Sequence, residues 1–157
     1  MSEAAVIHAV FNEVFGRPTD FSSFNDRLEA QKIVYLLDEL GVTCGDYPFK
    51  WYKHGPYSQR LQNTILEKYD KTEQIAFSPA GNSALAKIKQ MISVPHSEYT
   101  DSQWLEAIGS IQYLQKYLYS TSTRDTILRR LNELKPHLNN QKLNSSAYSL
   151  LEQYSML

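Results

Sequence analysis

Three shortages in the sequence each exclude a class of protein. Among the 157 residues Cys44 is the only cysteine, so no intramolecular disulfide can form and a zinc site built from several thiolates is excluded. Lysine and arginine total 16 against 17 acidic residues, and the formal net charge of −1 argues against strong non-specific binding to DNA, which depends on neutralising phosphates. No apolar run approaches the ~20 residues of a membrane-spanning helix. We therefore expect a cytoplasmic protein that does not enter a membrane.

Sequence motifs of known catalytic and metal sites are missing too. The four histidines, His8, His54, His96 and His137, lie far apart in the sequence, and no HxxxH or HExxH spacing occurs, so metal ligation is not indicated. The chain also lacks the phosphate-binding pattern GxxxxGKS/T, the dinucleotide pattern GxGxxG and the nucleophile pattern GxSxG. Cys44 has no base paired with it in the sequence, and a buried thiol is its ordinary role. We expect no catalytic residue, no metal and no cofactor, and a protein that is not an enzyme.

Helical periodicity dominates the chain. Apolar residues recur three and four positions apart, which predicts helices rather than strands. The second predicted helix ends at Leu40, before Gly41, and its apolar residues cover more than half of its circumference, so we expect it to be central and buried. After residue 100 the pattern predicts a hairpin of two helices, 101–120 and 123–138, because the connection between them is short. The apolar stripe of that hairpin consists of Ile127, Leu131, Leu134 and Leu138.

Two short segments change from helical to alternating periodicity. Residues 47–52 alternate large aromatic residues with other residues, which predicts a short strand broken by Gly55–Pro56, with a helix over 57–69 after it. Residues 74–77 are a candidate second strand, and Ser78–Pro79 predicts the start of the next helix. We therefore predict a mainly α protein with a small β-ribbon. It would consist of a winged-helix-like N-terminal core (1–93) and a C-terminal helical part (101–157), packed together as one unit.

The densest group of aromatic and polar residues lies around the Gly–Pro pair. Rigid aromatic side chains, a lysine, a histidine and a fixed backbone are typical of a contact surface. Aromatic residues are also ordinary core formers, so the same segment is compatible with a turn that plugs a small core. Both interpretations can hold together because successive strand residues face opposite sides. The candidate partner-binding residues are Trp51, Tyr52, Lys53, His54, Tyr57 and Ser58.

Two segments resemble a known family. Residues 27–37 read RLEAQKIVYLL and residues 47–61 read YPFKWYKHGPYSQRL. A helix with this Gln–Lys pair, followed by a Gly–Pro turn and another helix, is similar to the bacterial YwgA-like proteins and, more distantly, to the SocA (Panacea) antitoxin domain. The resemblance covers about residues 27–66, with Gly–Pro–Tyr where Panacea domains often have Gly–Pro–Val. It implies a non-enzymatic module that binds and neutralises a partner protein, such as a toxin, in a mobile-element, toxin–antitoxin or phage-defence system.

A second likeness supports an alternative function. The pattern from Phe77 to Leu85, Phe-Ser-Pro-x-Gly-x-x-x-Leu, resembles the segment that leads from the wing into the next helix in winged-helix regulators. The alternative is therefore a DNA-binding transcription regulator that dimerises through its C-terminal helices. Its recognition helix would be residues 57–69, although a polar helix face is more often simply solvated. The residues that would contact nucleic acid are Gln59, Arg60, Gln62, Asn63 and Lys68.

Overall fold

Seven α-helices and one two-stranded antiparallel sheet make up residues 2–157, which are the residues that this computed structural model describes. The prediction of a mainly α protein with a small β-ribbon is confirmed. A π-helical segment, Leu114–Leu118, continues α5. The elements are α1 (Glu3–Phe15), α2 (Phe24–Glu39), β1 (Lys50–Tyr52), β2 (Gly55–Tyr57), α3 (Gln59–Ile65), α4 (Pro79–Ser93), α5 (Asp101–Tyr113), α6 (Arg124–Leu134) and α7 (Gln141–Gln153).

Each α-helix begins at a polar residue whose side chain accepts a hydrogen bond from the backbone N–H three residues further on. Such a cap satisfies a donor that would otherwise have no partner within the helix. At α5 the bond is reciprocal, because the Gln103 side chain also accepts from the backbone N–H of Thr100. The capping residues are Ser2, Ser23, Ser58, Ser78, Thr100, Thr123 and Asn140.

The centre of the molecule is formed by α2 and α5. Every residue from Trp104 to Gln112 is buried, and so is every residue from Glu29 to Leu37, as expected for a helix whose apolar face exceeds half its circumference. One hydrophobic cluster joins these helices to residues from α4, α6 and α7, so the two halves of the chain share a core. Its members include Ile33, Leu36, Ile88, Trp104, Ile108, Ile127 and Leu151. None of the described helices has the length and apolar character required to cross a membrane.

The sheet differs from the predicted arrangement. Gly55 and Pro56, expected to break a strand, belong to β2, which pairs with β1 across a turn of only two residues, Lys53 and His54. Residues 74–77 contain no strand. Proline is tolerated in β2 because this sheet has only edge strands. The ribbon thus precedes α3, whereas a wing follows the recognition helix, and the winged-helix detail is not confirmed.

The C-terminal apolar stripe is buried against the chain's own helices with one exception. Ile127, Leu131 and Leu138 have no exposed surface, whereas Leu134 is 46% exposed. The predicted helix 123–138 ends early, at Leu134. The next residue, Lys135, precedes Pro136 and takes a non-helical conformation (φ −134°, ψ 72°), because a residue before proline disfavours the α region.

Substitution of two leucines of α6 tests whether the stripe is internal core. Leu131→Asp places a charge in a buried apolar site and should lower the free energy of unfolding by about 3 kcal/mol or more. Leu134→Asp, three residues away on the exposed side, should change it by less than about 1 kcal/mol. Urea denaturation, with light scattering to measure the molecular mass, checks both values. A dimeric wild type together with a well-folded, monomeric Leu131→Asp variant would instead assign the stripe to an interface between copies.

Candidate functional site

The β1–β2 hairpin is held to α2 by two adjacent buried side chains. The Gln31 amide donates to the Ser58 carbonyl oxygen (2.9 Å) and accepts from the Ser58 N–H (3.0 Å). Lys32 Nζ donates to the Pro56 carbonyl oxygen at 2.6 Å. The backbone polar groups of β2 and of the start of α3 thus find partners inside the protein, as buried polar groups must. The Gln–Lys pair and the Gly–Pro–Tyr–Ser segment of the family resemblance form one hydrogen-bonded unit.

Gly55 is required by both conformation and space. Its φ of +91° lies in the left-handed region, which non-glycine residues adopt at a cost. A Cβ atom at this position would lie 2.7 Å from Ser110 Oγ and 3.6 Å from Lys32 Cε. The small residue therefore lets the hairpin approach α5 and lets the Lys32 side chain pass beneath it.

The carboxylate of Glu106, on α5, is the centre of a group of titratable side chains below the hairpin. Its Oε2 lies 2.8 Å from His137 Nε2 and 3.7 Å from Lys135 Nζ, and its Oε1 lies 3.5 Å from His54 Nδ1. Only 5% of Glu106 is exposed. We call Lys32, His54, Glu106, Lys135 and His137 the charge cluster.

Lys135 is the second buried lysine that binds hairpin backbone. Its Nζ donates to the carbonyl oxygens of Tyr52 (3.0 Å) and Lys53, and it lies 4.8 Å from the centre of the Trp51 ring. Both carbonyls belong to the tip of the hairpin. Lys32 and Lys135 therefore fix the hairpin at two points, one at β2 and one at the β1–β2 turn.

Burial shifts three nitrogen groups of the charge cluster, those of Lys32, His54 and Lys135, towards their neutral forms. Desolvation lowers the pKa of Lys32 to about 7, opposed by the charge of Glu106 and aided by that of Lys135. Desolvation also lowers the pKa of Lys135, again against the effect of Glu106. The pKa of His54 is lowered by burial in the same way, so its imidazole is neutral at neutral pH. The charge of Glu106 raises the pKa of all three nitrogen groups and so brings each pKa closer to its ordinary value.

Above the charge cluster, four aromatic side chains are grouped at the surface. Tyr52, 62% exposed, stacks on Tyr57 with ring centroids 5.1 Å apart. Phe24, 54% exposed, lies edge-on to His54 at 5.5 Å, and Phe24 and Tyr57 line one shallow groove. We call Phe24, Tyr52, His54 and Tyr57 the aromatic patch. Exposed large apolar residues grouped in this way are typical of a contact surface.

The six residues predicted to bind a partner divide into two groups. Tyr52, Lys53, His54 and Tyr57 reach the surface of the hairpin. Ser58 does not, because it has no exposed surface and its hydroxyl caps α3; its assignment as a contact residue is therefore corrected. Trp51 is half-buried between Lys135 and Tyr113, and the Trp51 and Tyr113 rings lie 5.7 Å apart. Successive residues of a strand face opposite sides, so Trp51 faces inward where Tyr52 faces outward.

The residues predicted to contact nucleic acid do not form a continuous basic face. Arg60 donates to the Asp46 carbonyl oxygen and pairs with Glu3 at 3.5 Å. Gln59 and Asn63 bond to each other at 3.0 Å. Gln62 is half-buried, and Lys68 lies beyond the end of α3 at Ile65. The only arginine in the set is thus engaged within the chain.

Sequence reasoning missed the charge cluster and Phe24. Two of the four histidines that lie far apart in the sequence, His54 and His137, come together in the fold, with rings 6.4 Å apart. One signal in the sequence points to the cluster: Lys32 lies among apolar residues on the helix predicted to be buried. A buried lysine needs a partner, but the sequence does not say which one. Burial raises the pKa of the Cys44 thiol to about 11, so this cysteine stays protonated at neutral pH.

Comparison with known proteins adds no functional assignment: a scan against family models, a search of curated proteins and a search of solved structures each found no match.

Two glycines with nearly the same φ allow the conformational and steric roles of Gly55 to be separated. Gly41 has φ +88° and open space where a Cβ atom would lie, whereas Gly55 has φ +91° and Ser110 Oγ in the way. Gly41→Ala should cost about 1 kcal/mol of stability for the conformation alone. Gly55→Ala should cost at least about 2 kcal/mol, because a steric clash is added. Chemical denaturation of both variants measures the difference.

A third variant identifies the source of that difference. Ser110 Oγ is buried and has no hydrogen-bond partner among the described residues, so Ser110→Ala by itself should cost little. In the Ser110→Ala background the excess cost of Gly55→Ala should largely disappear. Equal costs at the two glycines, or an excess that persists without the hydroxyl, would contradict the steric role.

The pH dependence of stability tests the burial of Lys32. Its pKa is about 7 in the folded chain, against 10.5 for a free side chain. Between these values the unfolded chain binds a proton that the folded chain does not, so stability rises with pH across this window. Lys32→Met removes that contribution. Wild-type stability minus Lys32→Met stability should increase from about pH 7 to about pH 9, by up to about 1.4 kcal/mol per pH unit. Urea denaturation gives both profiles, and parallel profiles would show an unshifted Lys32.

Proposed function

We propose that this chain is a non-enzymatic protein-binding module whose contact surface is the aromatic patch. The observation that carries the proposal is the exposure of two aromatic pairs. Tyr52, 62% exposed, stacks on Tyr57, and Phe24, 54% exposed, lies edge-on to His54. Tyrosine and phenylalanine lose little conformational entropy on binding and are enriched at the centres of protein interfaces. Phe24 begins α2, and the other three residues of the patch belong to a hairpin that Lys32 and Lys135 fix from below, so the patch is pre-organised for a partner.

The charges around the patch indicate the chemistry of the partner. Residues 47–63 contain Lys50, Lys53 and Arg60 but no aspartate or glutamate. Lys50 and Lys53 are exposed on either side of Tyr52. We expect the partner's surface to present apolar or aromatic side chains at its centre and carboxylates at its rim. The carboxylates would complement the lysines around the patch, since charges at an interface rim act mainly through such complementarity.

The biological setting is proposed from the family resemblance. Residues 27–66 are similar to YwgA-like proteins and to the Panacea antitoxin domain, and the residues that carry the likeness are those that build and hold the hairpin. We therefore propose a bacterial cytoplasmic protein of a mobile-element, toxin–antitoxin or phage-defence system, which binds a toxin or another protein of that system.

Matched tyrosine variants test the contact surface. Wild-type chain, Phe24→Ser/Tyr52→Ser and Tyr117→Ser are each used for affinity purification from the native cell, with quantitative mass spectrometry. Tyr117 is a suitable control because it is 51% exposed and lies outside the patch. A captured protein is then purified and its dissociation constant is measured with each variant. We expect the patch variant to bind at least about 100-fold more weakly and the control to bind like the wild type, since aromatic anchors dominate interfaces.

Two outcomes of these measurements contradict the proposal. Equal affinity of wild type and patch variant would place the contact surface elsewhere.

In parallel, a gel shift with duplex DNA tests the transcription-regulator alternative. We expect affinity for random duplex at physiological salt no tighter than the ~10⁻⁴ M weak end of non-specific binding. Sub-micromolar binding to the promoter region of its own gene would favour DNA as the primary partner.

A further inference from the structure

Three side chains from distant parts of the sequence point ligand atoms at one another. His54 lies in the β1–β2 turn, Glu106 on α5 and His137 in the segment after α6. One nitrogen of each imidazole and one carboxylate oxygen all lie within 4.8 Å of one another. Imidazole nitrogen and carboxylate oxygen together are a common ligand set for zinc, and three protein ligands are the usual number where one coordination position stays open.

Two of the distances in the group lie on either side of the spacing that a zinc ion imposes, and they end on different oxygens of Glu106. With bonds of about 2.0–2.1 Å in a tetrahedron, neighbouring ligand atoms lie about 3.3–3.4 Å apart. Glu106 Oε1 and His54 Nδ1 are 3.5 Å apart, and Glu106 Oε2 and His137 Nε2 are 2.8 Å apart. Rotations of the exposed His137 side chain can supply the remaining adjustment. The imidazole protons would then reside on Nε2 of His54 and on Nδ1 of His137, leaving the other nitrogen of each ring to bind the ion.

We propose that His54, Glu106 and His137 form a binding site for a divalent transition-metal ion of the zinc type. The buried Glu106 provides the charge of the site, and the partly exposed histidines provide access for the ion. Imidazole ligands select zinc and its neighbours over calcium and magnesium, which prefer oxygen. The fourth position is accessible from solvent through His54 and His137, which are 31% and 45% exposed in their side chains.

The neighbouring lysines set the expected strength of the site. Lys135 Nζ lies 3.7 Å from Glu106 Oε2, and Lys32 interacts with the same carboxylate. Positive charge on lysines this near to Glu106 opposes the binding of a metal cation there. We therefore expect a dissociation constant in the micromolar range, weaker than that of closed structural zinc sites. The bound ion would link the tip of the hairpin to the segment after α6. Metal binding does not require that the aromatic patch bind a protein.

Zinc titration of the intact chain tests the site. Metal-free protein is titrated with zinc chloride in a calorimeter, and cobalt(II) absorption reports the ligand geometry. We expect one ion per chain. His54→Gln, Glu106→Gln and His137→Gln should each weaken binding by at least about 10-fold, because even residues that only orient a ligand cost 10–100-fold. His8→Gln is the matched control, since His8 is held by Thr19 and Phe21 elsewhere, and it should bind zinc like the wild type.

Thermal unfolding of each metal-free variant separates lost ligation from lost folding. His137 is exposed, so His137→Gln should fold like the wild type and still bind zinc weakly. With the wild type, zinc should raise the melting temperature, and with the folded His137→Gln variant it should raise it much less. The proposal is overturned if the wild type binds no zinc in the micromolar range. It is also overturned if the folded His137→Gln and His8→Gln variants bind zinc equally well.

Discussion

The hydrogen bond from the buried Lys32 amine to the Pro56 carbonyl oxygen is the contact on which the hairpin depends. Burying an ammonium group is costly unless its charge is compensated. Here the carboxylate of Glu106 compensates it, together with the lowered pKa of the amine. The approach of β2 that makes the bond possible needs Gly55, because a side chain there would meet Ser110 on α5. Backbone conformation, charge compensation and close packing are therefore requirements of one arrangement.

The same buried carboxylate connects the two proposed properties of the molecule. Glu106 faces the two lysines that hold the hairpin and the two histidines that would hold a metal ion. His54 belongs to both groups, since its ring contacts Phe24 in the aromatic patch. Coupling between metal and partner binding would follow if the two sites bias one conformation.

How much of the fold could be predicted varied with the range of the interactions. Helical periodicity and the Ser78–Pro79 start placed most of the α-helices to within a few residues, because caps and amphipathic spacing are local properties. The helix predicted over 57–69, however, spans only Gln59–Ile65. The segment 74–77 was wrongly predicted as a strand, since a strand requires a partner that local sequence does not specify. The helix predicted to reach 138 stops at Leu134 because Pro136 restricts Lys135. At this helix end Lys135 is buried and Leu134 is exposed.

The sequence by itself determined the helical class and the position of the first strand, and four of its candidate contact residues reach the surface: Tyr52, Lys53, His54 and Tyr57. It did not predict that Gly55 and Pro56 form the second strand of a hairpin. It could not place Phe24 beside those four residues or bring Glu106 to His54 and His137, because those contacts join residues far apart in the chain. Periodicity states which face of a helix is buried but not what it meets. Only the packing of α2, α5 and the segment after α6 against the hairpin decided that two lysines, one glutamate and two histidines share one site.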